Sequence, residues 1–203
     1  TMTQAYDVCG IGNAIVDVLA KVEENFITAH KLPKGGMQLI EEPEAERLYA
    51  AMGPAIEASG GSAANSIAGI AALGGKAAFI GRVKDDSLGR VFGHDIRGAG
   101  VAFHTSPVKE GPSTARCYVL VTPDGERTMN TYLGACQELD ASDLDAELVA
   151  KSGILYLEGY LFDKDKGKAA FQKAARDCHR AMQITTDSAS AASMWVRGVM
   201  AAE

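Results

Sequence analysis

Between residues 59 and 89 the chain reads SGGSAANSIAGIAALGGKAAFIGRVKDDSLG, and no other stretch restricts its fold and chemistry as much. The adjacent Gly60 and Gly61 let a ligand or another backbone come close where a Cβ would block it. Ser62, Asn65 and an alanine-rich run follow at helical spacing, which predicts a helix whose first N–H groups lack intrahelical acceptors. Asn65 then falls in the first turn and offers both an amide donor and a carbonyl acceptor to a polyol. Gly74 and Gly75 close that helix, residues 77–80 read as a buried strand, and residues 85–89 open another turn.

The same rhythm runs through the rest of the chain. Residues 6–11 are a short apolar run ending in Gly10-Ile11-Gly12-Asn13, as a central strand does on entering a loop. Residues 16–22 alternate, with Val16, Val18, Ala20 and Val22 on one side, and residues 37–40 make a further strand. Helices are expected over residues 43–52, begun by proline, and 88–99, stopped by Gly98 and Gly100. The runs 114–122 and 126–132 flank Pro123-Asp124-Gly125 and predict a hairpin. Residues 140–151 read as a helix capped by Ser142, 154–157 as a buried strand, 164–182 as an amphipathic helix and 184–187 as the next strand. Alternating strands and helices predict a parallel sheet between helices, interrupted by antiparallel strands with no helix between them.

Charge and composition narrow the function. A formal net charge of −6 argues against a nucleic-acid partner. No apolar run reaches bilayer length, so no membrane association is expected. The opening TMTQAYDVCGIG has no basic n-region, so no signal peptide is expected. Cys9, Cys117, Cys136 and Cys178 form no C-x-x-C pair, and His30, His94, His104 and His179 no H-x-x-x-H spacing. Free buried thiols, a cytoplasmic setting and no metal site in the chain are the expectation. Gly10-x-Gly12 begins a dinucleotide fingerprint, but Ile15 replaces its third glycine and a strand rather than a helix follows.

Two motifs in order carry a resemblance. Gly12, Asn13 and Asp17 form G-N-x-x-x-D after the first strand, and about fifty residues on come Gly60, Gly61, Ser62 and Asn65. A carboxylate placed like Asp17 can accept from two neighbouring hydroxyls. In these motifs the chain resembles the PfkB family of carbohydrate and nucleoside kinases, the ribokinase and adenosine kinase group. The resemblance extends over nearly the whole length. It implies a Rossmann-like (ribokinase-like) α/β core, with a mostly parallel sheet between helices, in residues 1–16, 46–105 and 137–203. A small β-sheet lid is implied in residues 17–45 and 106–136. A lid of this kind excludes water and so suppresses wasteful hydrolysis of the phosphoryl donor.

The resemblance also implies site residues. Asn13, Asp17, Gly60, Gly61, Ser62 and Asn65 would grip acceptor hydroxyls. Glu158 follows ILYL where ribokinase-like members place a sugar-contacting glutamate, and Tyr160 and Phe162 stand near where adenosine kinases carry aromatics. Arg127 lies where relatives direct an arginine at the transferring phosphate, a task suited to its fixed fork of donors. Stretches such as Asn65-Ser66-Ile67 and residues 37–42 are similar to adenosine kinases, whereas Glu158 leans towards ribokinase. The implied reaction transfers the γ-phosphoryl group of ATP, with Mg²⁺, to a primary hydroxyl of a sugar or ribonucleoside.

The family's D-T-x-G-A-G-D segment, which supplies the base and anion hole, does not occur in these 203 residues, nor does its magnesium-associated N-x-x-E segment. The expectation is therefore an acceptor half-site and lid that do not turn over alone. The alternatives are a non-catalytic polyol- or nucleoside-binding module, or a module that dimerises through the lid.

Overall fold

A computed structural model describes residues 4–178. The expected strand at 184–187 lies outside the described residues. Two sheets organise the chain, and they meet at one loop.

The first sheet is wholly parallel, with β1 (Tyr6–Ile11) between β5 (Ala77–Ile80) and β8 (Ser152–Leu157). Its strands are near-continuous apolar runs because helices cover both faces. Val8, Ala77, Phe79 and Tyr156 pack with Ile67 of α3 (Ser62–Ala72) and Phe92 and Ile96 of α4 (Ser87–Gly98). Cys9, Ile11, Ala78, Ile80, Leu155 and Leu157 face the other way. They meet Leu148 and Val149 of α5 (Ala146–Ala150) and Ala170, Phe171 and Ala174 of α6 (Asp165–Asp177).

The second sheet has five strands in the order β3 (Met37–Leu39), β7 (Arg127–Tyr132), β6 (Ala115–Val121), β2 (Ile15–Lys21) and β4 (Ile56–Gly60). The pairs β6–β7 and β2–β4 are antiparallel, whereas β2–β6 and β3–β7 are parallel. Pro123-Asp124-Gly125 makes the expected hairpin between β6 and β7, and Gly125 has a φ of 86°. Val16, Val18 and Ala20 face the core with Leu48 of α2 (Glu42–Ala51) and Ile27 of α1 (Glu24–Ala29), so one face of the sheet is covered.

Several elements depart from the sequence reading. Strand β4 and helix α1 are new. β4 carries Glu57, Ser59 and Gly60 among five residues, so little apolar alternation announces it. It is held in register by Leu19↔Ile56 through Ile15↔Gly60 along β2. It therefore belongs to the second sheet although residues 46–105 read as core, and Ile15 and Val16 join that sheet too. Residues 140–151 are not one helix but a 3₁₀ turn over Ala141–Asp143 followed by α5. Ser142 caps neither: Asp140 caps the 3₁₀ turn, accepting from Ser142 N at 2.7 Å, and Asp145 caps α5, accepting from Leu148 N at 3.0 Å. Asp143 accepts from Asp140 N at 2.9 Å and Arg82 pairs with both carboxylates, so the turn is closed before an α-helix can run through it. The helix expected over 164–182 is described as α6, ending at Asp177.

Candidate acceptor site at the junction of the two sheets

The site forms where β1 and β8 end, β2 begins and β4 runs into α3. The C-terminal edge of parallel strands is where open α/β sheets take ligands. Gly12-Asn13-Ala14 carries the chain from one sheet to the other, and Gly61 precedes the first residue of α3. Gly61 has φ 96° and ψ 141°, and a Cβ there would stand 2.4 Å from Asn13 O. A Cβ on Gly60 would stand 2.4 Å from the Asp17 carboxylate. The paired glycines thus let the β4–α3 turn close over the Asn13 loop and over Asp17.

Glu158 ties this junction together. It is 1% exposed, and its Oε2 accepts from Asn13 N at 2.6 Å. Its Oε1 accepts from Ala63 N at 3.1 Å and from the Ser62 hydroxyl, while its own N–H bonds Ile11 O at 2.9 Å. The carboxylate therefore receives donors from the Asn13 loop and the first turn of α3, which has surplus N–H groups. The structure gives Glu158 a positioning role that the sequence reading had not foreseen. A strand-end glutamate looks the same in sequence whether it faces ligand or protein.

Asp17 is placed differently. It is half-buried, burial pushes its carboxyl pKa up, and no ion pair or hydrogen bond satisfies the carboxylate among the described residues. Cross-strand register sets it in the row Leu39–Thr131–Cys117–Asp17–Ala58, beside the row Met37–Met129–Val119–Leu19–Ile56. Asp17 is thus the acidic group in two otherwise small or apolar rows. The outer residues of that face are open: Met37 is 58% exposed, Leu39 61% and Ile56 72%. Cys117, which pairs with Asp17, has its thiol pushed up to about 11, chiefly by burial.

The other expected residues divide into two groups. Asn13, Gly60, Gly61, Ser62 and Asp17 come together, and Asn65 lies one turn along α3, exposed, with its N–H on Gly61 O at 2.9 Å. The Asn13 Oδ1 is buried without a partner among the described residues, which marks it as an acceptor in need of a donor. Tyr160 sits in the 3₁₀ turn Gly159–Asp163 and is 56% exposed. Arg127 is not brought to the cluster. It is exposed at the far end of β7, in register with Val121 and through it with Lys21, four residues along β2 from Asp17. Missed in sequence was the capping role of Asp86, whose carboxylate accepts from Gly89 N at 2.7 Å at the start of α4 and from Thr114 N and Oγ1, tying α4 to the residue before β6. The D-x-x-G spacing from Asp86 to Gly89 was the available signal.

Among the described residues no group of three or more His, Cys, Asp or Glu side chains is arranged to hold a metal ion.

The profile of the pfkB family carbohydrate kinases matches residues 55–200. The chain belongs to that family. It is 32% identical over 145 residues to a probable chloroplastic fructokinase-6 of Arabidopsis thaliana, covering 70% of this chain and 38% of that protein. It is 32% identical over 103 residues to fructokinase-1 of Zea mays, covering 50% of this chain and 32% of the other. Among solved structures, the adenosine kinase from Sinorhizobium meliloti is 51% identical with a TM-score of 0.78, over 88% of this chain and 56% of that one. A probable sugar kinase from Rhizobium etli CFN 42 is 48% identical with a TM-score of 0.81, over 91% and 56%. The chain thus spans about a third of the length of these curated relatives and a little over half of these solved chains. The α/β fold, with its parallel sheet between helices, is that of these structures.

Proposed function

We propose that this chain is the acceptor-binding half and lid of an ATP-dependent kinase that phosphorylates a primary hydroxyl, and that its acceptor is a ribonucleoside rather than a free hexose. The observation that carries the preference is Asp17, a carboxylate without a partner among the described residues, set in two otherwise small or apolar rows of the sheet. A ribose offers neighbouring hydroxyls to Asp17, and a base attached to it offers a flat apolar body to Leu19, Met129 and Leu39. A free hexose would leave that face in contact with hydroxyls it cannot pair. The glycine turn brings Ser62, Asn65 and the free Asn13 Oδ1 to the same acceptor. Family membership implies ATP and Mg²⁺ as phosphoryl donor and ion, and Arg127 would meet the transferring phosphate once the lid tip folds inwards. Free buried cysteines suit a cytoplasmic setting, and no described helix is long and apolar enough to cross a membrane.

The same exposed face, with Met37, Leu39 and Ile56 at its edges, favours a second reading in which two lids meet in a homodimer. Sedimentation of the chain with and without adenosine separates the two, since a lid-to-lid dimer is expected to persist without ligand. The main test is calorimetric titration of the 203-residue chain with adenosine, ribose and fructose, with an ATP-consumption assay alongside. Adenosine is expected to bind more tightly than either sugar, and no ATP is expected to be consumed. Tighter binding of fructose would overturn the nucleoside preference, and turnover by this chain would overturn its assignment as an acceptor half-site.

A further inference from the structure

The covered face of the second sheet holds a cleft unrelated to Asp17. Cross-strand rows there run Ser59–Val16–Arg116–Tyr132 and Glu57–Val18–Tyr118–Asn130. Above them, between α2 and the first turn of α4, lies a half-open cleft of about 250 Å³. Val18 and Tyr118, each 1% exposed, form its floor; Tyr49 and Leu88 form its sides. Glu46 and Glu57 stand exposed at its mouth, and Arg116 reaches it from below.

Arg116 is the unusual member. Only 7% exposed, it donates from Nε to the Tyr118 hydroxyl at 2.9 Å and from Nη1 to Ser113 Oγ at 2.9 Å. Its guanidinium lies 4.8 Å from the centre of the Tyr132 ring. The Ser113 hydroxyl passes on to Glu42, so one carboxylate is reached through an intermediary. No described carboxylate lies within 4.0 Å of Arg116 itself, and Nη2 takes part in neither bond. A buried cation whose direct contacts are hydroxyls and a ring face, with its carboxylates at a remove, is favoured when an anion meets it directly.

We propose that this cleft binds a small amphoteric molecule of the free amino acid class, its carboxylate on Arg116, its ammonium between Glu46 and Glu57, and its apolar body on Tyr49, Leu88 and Val18. Two carboxylates at the mouth repel a phosphate dianion, whereas an ammonium satisfies them. The volume lies below the range of about 300–1,000 Å³ that holds drug-sized ligands, which limits the occupant to one of amino-acid size. β2 and β6 carry Asp17 and Cys117 on one face and Val18, Arg116 and Tyr118 on the other.

The site is independent of the kinase reading, and its test needs no phosphoryl transfer. The 203-residue chain is titrated calorimetrically with L-phenylalanine and L-leucine, and with 3-phenylpropanoate and phenethylamine as single-charge controls. Adenosine is titrated in parallel to report on the Asp17 site. One amino acid is expected to bind at least about tenfold more tightly than either control, because each control lacks one charge-assisted contact. Arg116→Met is expected to weaken that binding by about tenfold or more and to leave adenosine affinity unchanged. Glu57→Gln changes an exposed side chain, so it keeps the fold and decides the matter if Arg116→Met does not fold; a loss of about threefold or more is expected. No binding of either amino acid at millimolar concentration overturns the proposal. So does equal binding of 3-phenylpropanoate, which would make this a plain anion site, or unchanged affinity in Glu57→Gln.

Discussion

Replacing Glu158 by glutamine tests whether the acceptor site is assembled by that one buried carboxylate. The substitution keeps the shape and changes the chemistry. Glu158 accepts from Asn13 N through one oxygen, and from Ala63 N and the Ser62 hydroxyl through the other. A glutamine has a single carbonyl oxygen, so one group of donors must face its NH₂. The less costly arrangement keeps the oxygen on α3 and turns the amide hydrogens towards Asn13 N. That forfeits one charge-assisted bond, worth about 1.5–3 kcal/mol, and weakens two others. A loss of about 2–4 kcal/mol of stability follows, because the side chain is fully buried and water cannot repair the gap.

For a domain of this size that loss corresponds to a fall in Tm of roughly 5–15 °C. The assay is thermal unfolding of the ligand-free chain, followed by adenosine titration below the new Tm. A residue whose main contact is with the acceptor would lose affinity and leave the ligand-free Tm unchanged. A positioning residue lowers the Tm before any ligand is added, and then weakens binding because Asn13 and Ser62 are no longer fixed. A ligand-free Tm within about 2 °C of wild type, less than the shift expected from 1 kcal/mol, would falsify the assignment.

Asp17→Asn is expected to weaken adenosine binding by about 10–100-fold, the loss of one charge-assisted contact, as read by calorimetry. The same variant has a pH signature. Burial raises the folded Asp17 pKa above its ordinary value of 3.8, so the native state holds more protons than the unfolded one just above that pH, and stability falls as pH rises through the folded pKa. Urea unfolding from pH 4 to 7 should show Asp17→Asn gaining on wild type with rising pH until the difference levels off, and a gap that shrinks would contradict this. Gly61→Ala is expected to cost at least about 1–3 kcal/mol, from its glycine-only backbone and the Asn13 carbonyl at 2.4 Å; denaturant melts measure it. Cys9, Cys117 and Cys136 are buried, with thiol pKa values pushed up chiefly by desolvation, so they should resist Ellman's reagent at pH 8 until urea unfolds the chain.

What could be read from sequence follows from which residues carry periodicity. The parallel strands were legible because their apolar runs have one cause, burial on both faces, and the residues 6–11 anticipated for β1 are those observed. The glycine turn was legible because Gly60-Gly61 answers a local need for close approach. β4 was not, because its order comes from pairing with β2, a partner 35 or more residues away, and Glu57 and Ser59 disguise its alternation. The break at residues 140–145 was hidden for a similar reason: Arg82, far earlier in the chain, draws Asp140 and Asp143 into a turn that their spacing alone does not require.

Glu158 shows where residue type stops being informative about role. Its position beside the motif residues was legible, but not the direction of its carboxylate, which depends on the first turn of α3 offering two donors, Ser62 and Ala63, far along the chain from the Asn13 loop that offers the third. Asp17 shows the converse. It has the same chemistry and a lesser degree of burial, yet no donor reaches it among the described residues, its neighbours across the sheet being Ala58 and Cys117. Two carboxylates flank one junction; one is satisfied by the fold, and the other, without a donor among the described residues, is the one the proposed function gives to the ligand. That division assigns Glu158 to building the site and Asp17 to using it, and it requires the two substitutions above to separate, Glu158→Gln lowering the ligand-free Tm and Asp17→Asn raising it.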